Sequence, residues 1–167
     1  GGVIDGYPSR LHYFTDWVGD NANRGLVRDI SRELGGTLDT EPIDFMSTHT
    51  ESYRQLGDPS FITRVKQDEQ RLTGTGRYFV PQDRIAEVVE RIQDGDIIAA
   101  TSTVRGLDVA HTGLALWVDG TLHMLHAPLV GEEVQISEVS LAERIQRISG
   151  QDGIIVARPL IDPTIGG

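Results

Sequence analysis

Residues 109–127 read VAHTGLALWVDGTLHMLHA, two apolar runs joined by Asp119-Gly120. An Asp-Gly pair between such runs is a strong signal for a two-residue β-hairpin, because a type I′ turn needs a positive φ at both central positions. The segment therefore predicts two antiparallel strands, 109–118 and 122–127. This hairpin decides the fold class and the position of the candidate site.

The register of the predicted hairpin brings two histidines onto one face. It places Gly113 opposite His126, and the alternation of side chains then makes His111 a diagonal neighbour of His126. Diagonal positions lie roughly 7–8 Å apart, and a glycine between them is expected to leave space. His123, three residues from His126, points to the opposite face. The pair indicates a functional site, and the alternative interpretation is two half-buried strand histidines with backbone partners.

The segments around the hairpin predict an α+β fold. Strands are expected at 97–100, 134–137 and 154–158, where short β-branched or apolar runs lie between turn residues. Ser140 with Glu143 predicts a capped helix between the last two strands. The expected architecture is a mainly antiparallel sheet packed against helices, in a single domain spanning residues 1–167.

The region before the hairpin gives two clear helix signals and few others. Asp58-Pro59 predicts a helix start, with apolar residues on one face as far as Leu72. A second helix is predicted after Pro81, where apolar residues recur at helical spacing up to Ile92. The first third of the chain is interpreted as long loops with one short helix at 26–34.

Composition limits the classes of function. The chain has 167 residues, 15 Lys and Arg against 25 Asp and Glu, and so a net charge of 15 − 25 = −10. This charge disfavours nucleic acid and anionic membranes as partners. No apolar run approaches the ~20 residues of a membrane span, and no signal peptide is visible. The start at Gly1 suggests a piece of a longer protein. Zero cysteines exclude a thiol nucleophile within these residues.

Four segments together resemble one bacterial enzyme family. They are GYPSRLHYFTDW at 6–17, DGDII at 94–98, GLDVAHTGLA at 106–115 and LHMLHA at 122–127. They resemble the N-acetylmuramoyl-L-alanine amidase-like family of NlpC-type, papain-like cysteine hydrolases. The resemblance implies a papain-like fold and a catalytic Cys-His-His set that needs no cofactor. His111 and His126 take the second and third places, and the cysteine is expected on a helix upstream of residue 1, so this chain is expected to be inactive alone.

The resemblance also implies a substrate and a place of action. The scissile bond would be the amide between N-acetylmuramic acid and L-Ala, in a muropeptide or peptidoglycan fragment of the cell envelope or periplasm. Five residues near the start, Tyr7, Arg10, His12, Tyr13 and Trp17, offer the aromatic and cationic groups that such a substrate needs. The alternative for this group is core packing and structural ion pairing. Asp108 is a candidate for substrate binding or for ending the turn at Gly106.

Two other functions remain open from the sequence. A zinc-dependent amidase would use His111, His126 and a third ligand such as His12 or Asp108, although no close ligand spacing of the H-E-x-x-H kind supports it. A non-catalytic module that binds cell-wall glycopeptide is compatible with the absence of cysteine.

Overall fold

Eight strands, all paired antiparallel, form one sheet in the computed structural model, which describes residues 6–128 and 133–160. In chain order they are β1 (Val27–Asp29), β2 (Thr37–Asp39), β3 (Arg77–Pro81), β4 (Ile97–Ser102), β5 (Val109–Val118), β6 (Thr121–His126), β7 (Gln135–Ile136) and β8 (Gln151–Pro159). Within those same residues the α-helices are α1 (Phe14–Asn23), α2 (Phe45–Thr48), α3 (Pro59–Thr75), α4 (Ile85–Val88) and α5 (Leu141–Arg147). Short 3-10 helices cover Tyr7–Ser9, Thr50–Ser52, Arg54–Gly57, Gln82–Arg84 and Val89–Arg91. None of the helices in the described ranges is both long and apolar enough to cross a bilayer.

The strand order is β2-β3-β8-β4-β5-β6-β7, with β1 added beside β8. One edge of β8 pairs with β4, and its other edge pairs with β3 near Ile154 and with β1 near Arg158. The β4 strand then pairs with β5, so the β5–β6 hairpin lies directly beside the most buried strands of the sheet. The predicted α+β class with an antiparallel sheet is confirmed.

One face of the sheet packs against α4 and α5 and forms the main hydrophobic core. Alternate residues of four strands and one side of each helix meet there, including Ile98, Ala100, Ala115, Met124, Ile154, Val156, Ile85, Leu141 and Ile145. A second cluster joins α2 and α3 to the segment before α1, and it contains Tyr13, Ile43, Met46, Leu56, Val65 and Leu72. The two cores hold the elements that carry the candidate site.

The helices with complete local signals form as predicted. The Asp58 carboxylate accepts a hydrogen bond from the Ser60 backbone N–H at the start of α3, which runs a few residues beyond Leu72. Ser140 Oγ accepts a hydrogen bond from the Glu143 N–H at the start of α5. Side-chain caps of this kind satisfy the first backbone donors of a helix, so they mark its beginning in the sequence.

The helix predicted at 26–34 is wrong. Its first part is the edge strand β1, which pairs with β8, and a turn follows. Ser31 Oγ accepts a hydrogen bond from the Val156 N–H at 2.9 Å, and the Ile30 N–H donates to the Val156 carbonyl. These hydrogen bonds to a distant strand replace the local bonds of a helix.

The helix predicted after Pro81 is broken into pieces. One α-helical turn, α4, lies between two 3-10 helices, and helical structure ends at Arg91. The predicted apolar face is nevertheless buried, since Ile85, Val88 and Ile92 are at most 6% exposed. The spacing of these residues therefore predicted the buried face correctly and the regularity of the backbone wrongly.

Helix α1 replaces part of the loop expected in the first third of the chain. Its N-cap position is Tyr13, which makes no side-chain cap, and Val18 is its one buried residue among the ten. The cap comes from far along the chain, because Asp108 accepts a hydrogen bond from the Thr15 N–H at 2.8 Å. A helix without a local cap or a continuous apolar face leaves a weak signal in its own sequence.

Candidate functional site

The β5–β6 hairpin has the predicted register. Asp119 and Gly120 have φ values of 48° and 79°, and Val118 pairs with Thr121. Pairing continues without a bulge to Leu114 and its partner on β6. The prediction that His111 and His126 share one face is therefore confirmed as geometry.

The two imidazoles are in direct contact. His111 Nε2 lies 2.9 Å from His126 Nδ1, and the rings stand nearly perpendicular, at 88° with centroids 5.0 Å apart. His126 is 7% exposed, while His111 is half-buried. Within the described residues this is the hydrogen bond that each ring makes, and His111 Nδ1 has no hydrogen-bond partner among them.

Gly113 has a different role from the one predicted. The expected space between the histidines is filled by Met124, and a Cβ on Gly113 would lie 2.8 Å from Met124 Cε and 2.6 Å from the Leu125 carbonyl oxygen. The glycine therefore allows β6 and the Met124 side chain to pack closely against β5. It does not provide room for a ligand.

Both imidazoles are neutral at pH 7. Burial lowers the pKa of His111, and the positive charge of Arg144 lowers it further. Burial, Arg144 and His111 together lower the pKa of His126 to about 4. Because a neutral imidazole has one N–H and one acceptor nitrogen, the bond between the rings has a single donor, Nε2–H or Nδ1–H.

A groove of about 820 Å³ runs beside His111. Its base is the central part of β5, and its walls come from the segment at the start of α1 and from the loop before β5. The lining residues are mainly apolar or aromatic, and they include Leu11, His12, Phe14, Trp17 and Leu107 on the walls and Leu114 on the base. Phe14 and Trp17 stack with ring centroids 5.6 Å apart. The groove thus joins a neutral imidazole to aromatic faces.

Two of the predicted binding residues lie near one another at this end of the molecule. His12 lines the groove, and its Nε2 donates a hydrogen bond to the Tyr7 carbonyl oxygen at 2.9 Å. The Tyr7 ring lies 4.5 Å from the His12 ring and also contacts Phe61. His12 therefore lines the groove, and Tyr7 packs against the His12 ring and accepts its hydrogen bond.

Of the other predicted binding residues, Arg10 is not among the residues that line the groove, and Tyr13 lines it but has its hydroxyl bonded to protein groups. Arg10 is exposed and lies at a neighbouring depression beside α1 and α3. Tyr13 is 5% exposed, its hydroxyl donates to Glu69 Oε1 at 2.7 Å, and it accepts from the Met46 N–H. Burial raises the pKa of the Tyr13 phenol. The structure therefore favours core packing for Tyr13.

Asp108 is a structural residue in this geometry. It is 3% exposed, and one carboxylate oxygen accepts hydrogen bonds from both the N–H and the hydroxyl of Thr15, each at 2.8 Å. The other oxygen accepts from the Val109 N–H. With three protein donors, the carboxylate joins α1 to β5 and has little capacity left for a substrate.

The residues of the zinc alternative do not assemble into a ligand set. The described part of the chain contains no cluster of three or more His, Asp or Glu side chains placed to hold a metal ion. His111 and His126 each direct a nitrogen at the other ring, and the Asp108 oxygens are bonded to protein donors. The pair resembles a base with its orienting partner more than two metal ligands.

Sequence reasoning missed Arg144 and Phe14, whereas Trp17, a predicted binding residue, lines the groove. Arg144 is buried on α5 beside Leu141 and Ile145, and its charge acts on both imidazoles. A signal for it existed, since position 144 interrupts an apolar face with i, i+3, i+4 spacing. Phe14 could be recognised as a groove residue only with α1 in place.

A family model described as AmiA-like, N-acetylmuramoyl-L-alanine amidase-like, matches residues 1–154. The chain belongs to this family. Among solved structures, an N-acetylmuramoyl-L-alanine amidase from Bacteroides uniformis is 35% identical with a TM-score of 0.90, and the match covers 95% of this chain and 68% of that one. A putative xylanase from Bacteroides fragilis is 34% identical with a TM-score of 0.88, over 93% and 69% of the two chains.

More distant similarity supports the fold alone. Protein LPG0564 from Legionella pneumophila, of the DUF1460 family, is 18% identical with a TM-score of 0.61, over 93% of this chain and 64% of that one. No functionally curated protein matches the chain. The family match and the 35% identical amidase structure together make the chain an amidase-like protein of a family named for peptidoglycan chemistry.

Proposed function

We propose that this chain is the histidine-bearing part of a papain-like, NlpC-type cysteine amidase that cleaves the bond between N-acetylmuramic acid and L-Ala. The observation that carries the proposal is the 2.9 Å contact between His111 Nε2 and His126 Nδ1 beside a groove. It supplies a base and a group that orients it. The family to which the chain belongs supplies the substrate class.

The nucleophile in this proposal is a cysteine carried by the chain that precedes residue 1 in a longer protein, called the parent below. The 167 residues contain no cysteine. A helix N-terminus and a neighbouring imidazole both lower a thiol pKa, so a cysteine presented to His111 would be a thiolate near neutral pH. The groove lined by Leu11, Phe14 and Trp17 is where such a segment and the substrate would meet His111.

Each histidine has one task in the proposed reaction. The cysteine thiol first gives its proton to His111 Nδ1. The thiolate then attacks the lactyl carbonyl carbon, and the C–N bond breaks as His111 Nδ1 gives that proton to the leaving amine of L-Ala. Water then gives a proton to the same nitrogen as its oxygen attacks the thioester carbonyl, and collapse of the adduct releases the thiolate and the carboxylic acid, which loses its proton to solvent. His126 holds the His111 ring in the orientation needed for both steps.

Substrate recognition in the proposal uses the aromatic walls of the groove. Phe14 and Trp17 offer faces against which a sugar ring can pack, and His12 adds a polar edge. Arg10, exposed beside the groove, is a candidate partner for a stem-peptide carboxylate. A peptidoglycan fragment as substrate implies action in the cell envelope or periplasm, which is part of the same proposal.

Selective inhibition separates the thiol mechanism from the zinc alternative. We expect iodoacetamide to abolish hydrolysis of N-acetylmuramoyl-L-Ala peptides by the parent, and a chelator to leave the rate within about twofold, because no metal takes part in the proposed steps. Release of L-Ala amine measures the reaction. Protection of the thiol by substrate serves as the control for site-specific alkylation.

The opposite pattern would contradict the proposal. Loss of activity in chelator with recovery on added zinc, and full activity after alkylation, would favour a metal-activated water. Tight binding of muropeptide by a parent that has no thiol and no turnover would favour the binding module.

A further inference from the structure

Arg144 places a positive charge on the face of α5 that packs against the sheet. It is buried together with Leu141 and Ile145, and 9% of its surface is exposed. Within the described residues it pairs with no carboxylate, and its hydrogen bond is a long one, 3.5 Å from Nη1 to Gln151 Oε1. Burial of a cation that has no carboxylate partner among the described residues costs free energy, so the position of Arg144 suggests a role beyond packing.

The charge lies beside the histidine pair. Helix α5 packs on β6 and on the sheet face that carries both imidazoles. Arg144 contacts Gln151, which pairs with Ser102 at the end of β4. Two residues earlier on β4, Ala100 pairs with His111. On the sheet face that α5 covers, the residues of β4 and β8 nearest to His111 are uncharged: Ala100 and its partner Ile154.

The direction of the bond between the rings depends on the charge state of His126. A neutral His126 with its proton on Nε2 accepts from the His111 Nε2–H, which leaves His111 Nδ1 unprotonated. A protonated His126 has a proton on both nitrogens and cannot accept. The His111 proton would then have to move to Nδ1, where it would block the base.

For the amide hydrolysis proposed above, on which this role rests, we propose that Arg144 is a positioning residue. Together with burial it holds His126 neutral, and it thereby keeps the His111 proton on Nε2 and leaves Nδ1 to act as the base. Arg144 touches no reacting atom in this arrangement. Its effect passes through His126.

The pKa values give the direction of the pH effect. Burial is the largest cause of the low pKa of His126, about 4, followed by the charges of Arg144 and His111. His126 therefore stays neutral as the pH falls from 7 towards 4, and the arrangement is lost only below that range. Removal of the Arg144 charge raises the pKa of His126, so the arrangement is lost at a higher pH.

An NMR titration of the imidazole nitrogens in the present chain tests this role. In Arg144→Met, which keeps an unbranched apolar stem, we expect the pKa of His126 to rise above about 4 while burial still holds it below its ordinary value, and the His111 proton to be shared between Nε2 and Nδ1. Arg144→Gln, a second neutral variant, is expected to do the same if the Met variant folds poorly. Arg144→Lys, which keeps the charge, should retain the wild-type titration.

Kinetics of the parent give the second readout. The acid limb of kcat/KM in Arg144→Met should move to higher pH by the same amount as the pKa of His126, with rates at pH 8 nearly unchanged. An unmoved His126 pKa in both neutral variants, or a loss of rate that is equal at every pH, would overturn the role. Neither result bears on the amidase proposal, which fails instead if His111→Ala retains turnover.

Discussion

We expect His111→Ala to lower kcat/KM of the parent for N-acetylmuramoyl-L-Ala peptides by about 10³- to 10⁴-fold. The same imidazole holds the thiolate and protonates the leaving amine in the proposed mechanism, so its loss removes both contributions. Steady-state kinetics with a defined muropeptide measure the effect. Circular dichroism and thermal unfolding check that the variant folds.

Two other histidines on β6 serve as matched comparisons. His126→Ala should reduce kcat/KM less, by roughly 10²-fold, because the loss of an orienting residue leaves the base in place. His123 lies on the opposite face, where its Nδ1 donates to the Ser137 carbonyl oxygen at 2.8 Å, and His123→Ala should leave turnover nearly unchanged. Equal rates in the wild type and in the His111 variant would contradict the catalytic assignment.

We expect Asp108→Ala to lower the free energy of unfolding by about 3–5 kcal/mol. The substitution leaves three donors without their acceptor: the Thr15 N–H, the Thr15 hydroxyl and the Val109 N–H. It also removes the cap of α1, and with it the wall of the groove that α1 forms. Such a loss is a large fraction of the 5–15 kcal/mol that is typical of a domain, and urea unfolding of the present chain measures it.

Thr15→Val is the matched control for Asp108. It removes one of the three donors and should lower the stability by about 1 kcal/mol. The structural role of Asp108 predicts that the two effects rank in this order. If Asp108→Ala instead unfolds like the wild type and weakens only substrate binding in the parent, then Asp108 contacts the substrate and its cap is dispensable.

The parts of the fold with complete local signals could be predicted from the sequence. Asp119-Gly120 sets the turn, and the alternation along the strands then decides which face each histidine occupies, so the neighbouring positions of His111 and His126 followed from 19 consecutive residues. Asp58 and Ser140 likewise marked the starts of α3 and α5. In each case the decisive interaction lies within a few residues.

The remaining features depend on residues far apart in the chain. Helix α1 is capped by Asp108, which lies 93 positions from Thr15, and β1 forms because β8 offers it an edge. Tyr13 is buried by its bond to Glu69, 56 positions away. Binding residues chosen by type near the start of the chain therefore could not be sorted into groove and core until these contacts were known.

A crystal structure of the parent tests the central claim most directly. The account predicts a cysteine sulfur within about 4 Å of His111 Nδ1, on the groove side, with His126 still bonded to Nε2. A sulfur on the other face of the sheet, or a groove beside His111 filled by packed hydrocarbon with no thiol in reach, would contradict it.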